Sequence, residues 1–273
     1  MIASLFLVKL LTTVTLVLGL SWIAERVDTR LAGILSGMPL GSLLVLIFVG
    51  HDLGPEFAAE SALYGIPALI GTLAFAGVYY LTSRTRHILG PLFGALAALP
   101  CYLLIAYTLR HFDFSLASGM LLTGISIVIA ARLFFHIPEE RVMKRVRLTF
   151  WHLCFRAGMA AFFVIIITEI AETVGPRWAG LLMGFPITFL PFLLIIHITY
   201  SYRHAHTVIR NFPVGLGGLV SYLALVNLTA VPLGINLSIM IGLLGSLAYL
   251  GVISYIFNRR RRASVEDLPE TPH

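Results

Sequence analysis

Apolar residues in this chain occur in long runs that are separated by short polar segments. Nine of these runs approach or exceed the ~20 residues that a helix needs to cross the hydrocarbon core of a bilayer. We place them at 2–23, 31–50, 61–81, 88–108, 116–135, 150–170, 178–198, 210–230 and 236–257. The pattern therefore predicts an all-α polytopic membrane protein with about nine transmembrane helices.

A segment that carries both polar and small residues occurs twice in the chain. Ile23–Pro39 and Ile170–Pro186 share ten identical residues in seventeen, at a constant offset of 147 (170 minus 23). The match continues forward through a one-residue deletion, which places Pro67 on Pro213. Because apolar composition alone would not keep Glu, Arg, Gly and Pro in register, we interpret the match as an internal duplication.

The duplication sets the predicted domain organisation. Residues 1–110 form an N-terminal four-span repeat, and 149–258 form a C-terminal one. Residues 111–148 hold an unpaired linking span and a basic loop, and 259–273 form a basic and then disordered tail. Since corresponding spans are separated by five crossings, an odd number, the repeats are expected to be inverted, as in many secondary transporters.

Composition and charge support a membrane location and give an orientation. The chain is 58% hydrophobic and 12% charged, whereas soluble domains carry roughly 25% charged residues. Of the 19 Lys and Arg residues, fifteen fall in segments on the side of the C-terminus, two in the opposite loops and two within spans. The positive-inside rule then predicts a multi-pass protein of the bacterial inner (plasma) membrane, with the N-terminus outside and the C-terminus cytoplasmic.

Two cations lie inside predicted spans at matching places of the repeat, Lys9 and Arg156. A charge at that depth costs about 2.5–3.5 kcal/mol on insertion scales, so such residues are rare and often functional. We expect the pair to line a central cavity that receives an anionic substrate. The alternative is that both side chains snorkel to the membrane interface.

Matching proline and glycine residues interrupt spans two and seven. Gly37 and Pro39 lie in the first, and Gly184 and Pro186 in the second. A proline removes a backbone donor and clashes with the preceding turn, and interrupted spans at corresponding positions of two halves indicate a transport site. We therefore assign these four residues to substrate binding. The alternative is a kinked helix whose small residues pack against a neighbour.

Glu25 and Glu172 end spans one and six, and Arg30 and Arg177 open the next spans. We predict ion pairs across these two helix junctions, which either fix the hairpins or act as gates that break alternately. Glu169 lies one turn before Glu172 on the same helix face. Its carboxylate is a candidate for proton coupling, and the alternative is an ordinary helix-end acid.

The sequence contains no pattern for a catalytic centre, nucleotide loop or metal site. His204 and His206 are two residues apart, so on a helix they point to different faces. We predict no enzyme activity, no cofactor and no metal. The expected partners are the lipid bilayer and a small-molecule or ion substrate, with a homodimer as a further candidate assembly and no nucleic acid.

The repeat unit resembles the GlpM-like group of small bacterial inner-membrane proteins. The residues that carry the resemblance are Thr168–Ala171 and Met183–Pro186 in the second copy, with Ser21–Glu25 and Ser36–Leu40 in the first. The resemblance implies a fold relationship, in which a small membrane protein was duplicated and fused. It implies no substrate and no catalytic residues.

Two functions are compatible with these patterns. The first is a secondary transporter of a small anionic solute, which works by alternating access between the inverted repeats. The second is a non-transporting membrane component that supports envelope polysaccharide or lipid assembly. A polar cavity at the midplane would favour the first, and tightly packed repeats with a large surface patch would favour the second.

Overall fold

The computed structural model describes residues 38–84, 89–140 and 149–266, together with positions 11, 14 and 15, and it describes side chains as far as Ile256. These residues form eight α-helices. The helices are α1 (Leu40–Asp52), α2 (Pro55–Thr82), α3 (Gly90–Leu109), α4 (Leu116–Phe135), α5 (Phe150–Met183), α6 (Phe189–Thr199), α7 (Tyr202–Leu233) and α8 (Ile235–Glu266).

A break at Gly175 divides α5 into two pieces, α5a (residues 150–174) and α5b (residues 176–183). Gly175 has φ 80° and ψ 169°, a left-handed conformation that glycine adopts without the steric cost of a Cβ. Pro176 follows, and proline at the first position of a helix has the φ angle that the new helix requires. The same pair stands at the start of α2, where Gly54 has φ 97° and Pro55 is the first residue of the helix.

Six of the eight helices are long and apolar enough to cross a membrane, namely α2, α3, α4, α5, α7 and α8. The described part of the chain is thus all-helical, and its long apolar helices indicate a multi-pass membrane protein. The helices that were expected from span two and the second part of span seven are shorter, with 13 residues in α1 and 11 in α6. Span one, predicted at 2–23, lies outside the described ranges apart from three isolated positions.

Helices α2 and α7 lie antiparallel at the centre of the molecule. At one end the side-chain amide of Asn227 on α7 donates to the Ala59 carbonyl on α2, at 2.8 Å. At the other end the rings of Tyr80 and His206 lie 4.6 Å apart. The outer helices α3, α4 and α8 expose large apolar side chains, which suits a surface that faces lipid.

Contacts between loops divide the helix ends into two sets, which we call the Asp113 end and the Glu140 end. At the Asp113 end, Arg177 pairs with Asp113 at 2.6 Å, and His51 bonds Asn236 at 2.9 Å. At the Glu140 end, Arg203 pairs with Glu140 at 3.8 Å. Successive crossings therefore run between the same two ends in alternating directions, when α5b and α6 are counted together as the crossing between α5a and α7.

Candidate functional site

The second interrupted span is broken at the predicted place. The helix ends at Met183 and does not resume until Phe189, so Gly184–Thr188 form a buried non-helical segment. Pro186 has no N–H to offer the Leu182 carbonyl, which instead accepts a bond from the Phe185 amide at 3.0 Å. The predicted distortion of span seven is confirmed, and it is a full interruption instead of a kink.

The first interrupted span also changes at its proline. Met38 and Pro39 are non-helical, and α1 begins only at Leu40. The predicted span 31–50 is therefore helical from its tenth residue in the described part of the chain. Gly37, which we assigned to substrate binding, lies outside the described ranges.

The broken segment of span seven meets the start of α1 in the interior. The backbone of Gly41, in the first turn of α1, lies against the side chain of Ile187, so that a Cβ on Gly41 would be 3.0 Å from the Ile187 Cβ. A small cavity of ≈ 30 Å³ lies at this junction, room for one or two water molecules. Its lining residues come from the broken segment, from Met38 and the start of α1, and from the helices around them: Met38, Gly41, Ser42, Thr72, Met183, Gly184, Phe185, Pro186, Ile187, Thr188, Phe189, Phe212, Leu216 and Leu219.

Hydroxyl groups from three helices satisfy the backbone carbonyls at the end of α5b and just after it. Tyr102 on α3 donates to the Leu181 carbonyl. Ser42 on α1 donates to the Met183 carbonyl at 3.5 Å, and Thr72 on α2 donates to the Gly184 carbonyl at 2.5 Å. In an apolar environment each unsatisfied carbonyl would cost several kcal/mol. These protein hydroxyls therefore satisfy the carbonyls without a ligand, and the sequence offered no signal that would single them out.

Two helix N-termini border the same cavity. Gly41 and Ser42 belong to the first turn of α1, while Thr188 and Phe189 begin α6. The first amides of a helix lack intrahelical partners and carry the positive end of the helix dipole. Both ends thus give the junction a positive potential without a charged side chain.

Arg156 on α5a is buried, and two of its three guanidinium nitrogens have no hydrogen-bond partner among the described residues. Its side chain is 6% exposed, and within the described part of the chain neither Nε nor Nη1 has a hydrogen-bond partner. Its guanidinium carbon lies 5.3 Å from the centre of the Phe192 ring on α6. Unpaired buried cations are costly, so the site favours an anion.

The guanidinium of Arg156 does not line the small cavity among the described residues, contrary to our expectation. Phe189 borders the cavity, whereas the guanidinium lies over the ring of Phe192, which is about one helical turn further along α6. That separation is about 4.5 Å along the helix axis. Lys9, its predicted companion, lies outside the described ranges.

The predicted ion pair between Glu172 and Arg177 is wrong. Arg177 instead pairs with Asp113 at 2.6 Å and with Glu60 at 3.7 Å. The physical reason is the break at Gly175, which starts a new helix direction and points Arg177 toward α2 and the α3–α4 loop. Glu172 has an exposed side chain on α5a, as does Glu169.

The other predicted junction pair, Glu25 with Arg30, lies outside the described ranges. Among the described residues no group of three or more His, Cys, Asp and Glu side chains could hold a metal ion. Cys101 and Cys154 are free thiols.

Comparison with known proteins gives no match to any family model, curated protein or solved structure. The assignment of function therefore depends on the geometry of the chain itself.

Proposed function

We propose that this protein is a secondary transporter of a small anion that works by alternating access between two inverted repeats. The observation that carries the proposal is that the broken segment of span seven meets the start of α1 in the interior. This contact lies about one helical turn along α6 from Arg156, a buried cation with two nitrogens that have no hydrogen-bond partner among the described residues. Interrupted helices whose N-termini face an anionic substrate are a recurrent design in transporters.

The direction of the central helices supports the inverted arrangement. The duplication places Pro67 of α2 on Pro213 of α7, and these two helices run antiparallel. A parallel repeat, related by an axis along the membrane normal, would orient them the same way. The proposal retains nine spans, with the first at 2–23, and a fold relationship to the GlpM-like group.

Equivalent contacts in the two halves give further support. Tyr102 packs against Gly71 within the α2–α3 hairpin. Tyr249 packs against Gly217 within the α7–α8 hairpin. The sequence offsets between these pairs are 146 and 147 (217 minus 71 and 249 minus 102), which agree with the offset of the duplication.

The size and chemistry of the junction favour a small anion as substrate. A cavity of ≈ 30 Å³ accommodates an ion comparable to one or two water molecules. The cavity is bordered by two positive helix ends, and none of its described lining residues is a carboxylate. We propose that an anion passes between the junction and Arg156 along α6, with Lys9 serving the same role from the other side.

The ion pairs of Arg177 are the proposed gate at the Asp113 end, which the charge distribution assigns to the periplasmic side. Arg177 joins α5b to Glu60 of α2 and to Asp113 of the α3–α4 loop. Alternating access requires these contacts to break when the Asp113 end opens. Since all three side chains are partly exposed, each pair contributes little to stability, which suits a gate.

The test is anion binding by purified protein in detergent, followed by flux into proteoliposomes. Wild-type protein should be thermally stabilised by at least one small anion among fluoride, chloride, nitrate, formate and acetate at constant ionic strength. Arg156→Leu should weaken that binding by about tenfold or more, because a charge-assisted contact is lost. Arg156→Lys should retain part of it, since a point charge remains.

Arg132→Leu is the matched control, because Arg132 is exposed at the end of α4 and should leave binding unchanged. A wild-type protein that responds to no anion and carries no flux would overturn the transporter proposal. That result would favour the alternative, a membrane component that supports envelope polysaccharide or lipid assembly.

A further inference from the structure

A second, larger cavity opens at the Glu140 end, away from the helix junction. Its volume is ≈ 400 Å³, which is large enough for a small organic molecule. The lining residues come from the end of α2, the segment after α4 and the start of α7: Tyr80, Arg84, Pro138, Glu140, Tyr202, Arg203 and His206.

Three aromatic rings line this cavity. The His206 ring lies 4.6 Å from Tyr80 and 5.4 Å from Tyr202, and both contacts are edge-to-face. His206 is only 5% exposed, and its Nε2 bonds the Ser83 hydroxyl at 3.2 Å. The rings thus present a fixed apolar surface that can hold the carbon part of a ligand.

Two exposed arginines, Arg84 and Arg203, lie against the rings of this cavity. Arg84 lies over Tyr80 at 4.4 Å, and Arg203 lies 5.9 Å from the ring centre of Tyr202. The Nε of Arg203 also donates to the Tyr202 hydroxyl at 3.4 Å. A cation–π contact uses the face of a guanidinium, so the N–H groups at its edge can still bind an acceptor.

Among the described residues, the charged side chains that line the cavity carry a net positive charge. Glu140 is the one carboxylate among them, against Arg84 and Arg203, and it pairs with Arg203 at 3.8 Å. Tyr202 and Arg203 also form the first turn of α7, whose backbone amides add to the positive potential. A ligand with two negative charges or several acceptor oxygens would therefore be held better than a single carboxylate.

We propose that this cavity binds a phosphate-bearing ligand, with Arg84 and Arg203 contacting the phosphate oxygens and the three rings contacting the attached group. Arginine forks match phosphate geometry, and phosphate groups bind readily at helix N-termini. The cavity lies where the helices end, so the phosphate can belong to a lipid headgroup or to a soluble phosphoester. This site is separate from the junction and does not depend on transport.

The experiment is a binding titration of full-length protein in neutral detergent, read by thermal stability at constant ionic strength. The probes are inorganic phosphate, glycerol phosphate and a short-chain phosphatidylglycerol, with sodium acetate as the comparison anion. Wild-type protein should bind at least one phosphate probe more tightly than acetate. The double variant Arg84→Gln with Arg203→Gln should bind it about tenfold to hundredfold more weakly, since two charge-assisted contacts are lost.

Arg132→Gln is the matched control, an exposed arginine of α4 outside the cavity, and it should bind like wild type. Response to phosphatidylglycerol alone assigns the site to a lipid headgroup, and response to glycerol phosphate as well assigns it to soluble phosphoesters. Equal binding of acetate and phosphate, or unchanged binding by a folded double variant, would overturn the proposal. Because Arg156 is intact in these variants, this result is independent of the transporter test.

Discussion

At the scale of single residues, the helix break is stabilised by side-chain hydroxyls that lie far from it in sequence. Tyr102 is fully buried and donates to the Leu181 carbonyl near the end of α5b. Its ring also lies 5.1 Å from Phe185 in the broken segment. The ring fills space and the hydroxyl satisfies a backbone acceptor, so the two contributions can be separated by removing one oxygen atom.

Tyr102→Phe should lower the free energy of unfolding by about 1 kcal/mol, because the Leu181 carbonyl loses its side-chain donor in an apolar interior. The measurement is the unfolding midpoint in detergent. Tyr107→Phe on the same helix is the control: its side chain is 51% exposed, and its effect should stay within about 0.5 kcal/mol. Equal effects of the two variants would mean that the buried hydroxyl contributes nothing specific.

At the scale of elements, glycine and proline decide where the helices stop and start. Gly175 and Pro176 divide α5, Pro186 lies in the break between α5b and α6, and Pro39 precedes the first residue of α1. The break at Gly175 has a local cause, since a Cβ there would meet no atom within 4 Å and the positive φ alone requires glycine. The change of direction at this glycine brings Arg177 to Asp113.

Gly175→Ala should destabilise the protein by about 1–2 kcal/mol, because alanine is strained at a positive φ. Gly158→Ala in the same helix is the matched control. Gly158 also has open space around it, but it lies within the continuous part of α5a, where alanine should be neutral or stabilising by up to about 1 kcal/mol. The unfolding midpoint should therefore fall for Gly175→Ala and stay unchanged or rise for Gly158→Ala, and an equal fall for both variants would contradict the break.

At the scale of the whole molecule, the helix ends are sorted into two sets, each rich in polar contacts. The Asp113 end holds the Arg177 ion pairs and the His51–Asn236 bond. The Glu140 end holds the larger cavity and the Arg210 side chain, which donates to the Ile137 carbonyl at 2.6 Å. A membrane must separate these two ends, so each should be accessible from one side only.

Single-cysteine variants, made in a protein that lacks Cys101 and Cys154, test whether the two ends lie on opposite sides of the membrane. Asp113→Cys and Asn236→Cys should react with an impermeant maleimide in intact cells, because the charge distribution assigns their end to the periplasm. Arg132→Cys and Thr149→Cys should react only after permeabilisation. Mixed reactivity within either pair would contradict the fold, while a reversed pattern would contradict only the orientation.

Periodicity and composition predicted the parts of this fold that depend on local chemistry. The long apolar helices α2, α3, α4, α7 and α8 lie close to their predicted spans, since burial of about 20 apolar residues in lipid needs no tertiary information. The interruption at Pro186 was also predictable, because a missing backbone donor acts wherever the proline lies.

The partners of each polar side chain were decided by the tertiary structure alone. Arg177 was assigned to Glu172 by proximity in sequence, yet it binds Asp113 and Glu60, because the helix turns away at Gly175. The two cavities are likewise built from helices distant in sequence. The sequence thus determined that the chain crosses the membrane repeatedly and where its helices break. Which groups meet at those breaks depended on how the helices pack, since side-chain contacts span separations that no local pattern encodes.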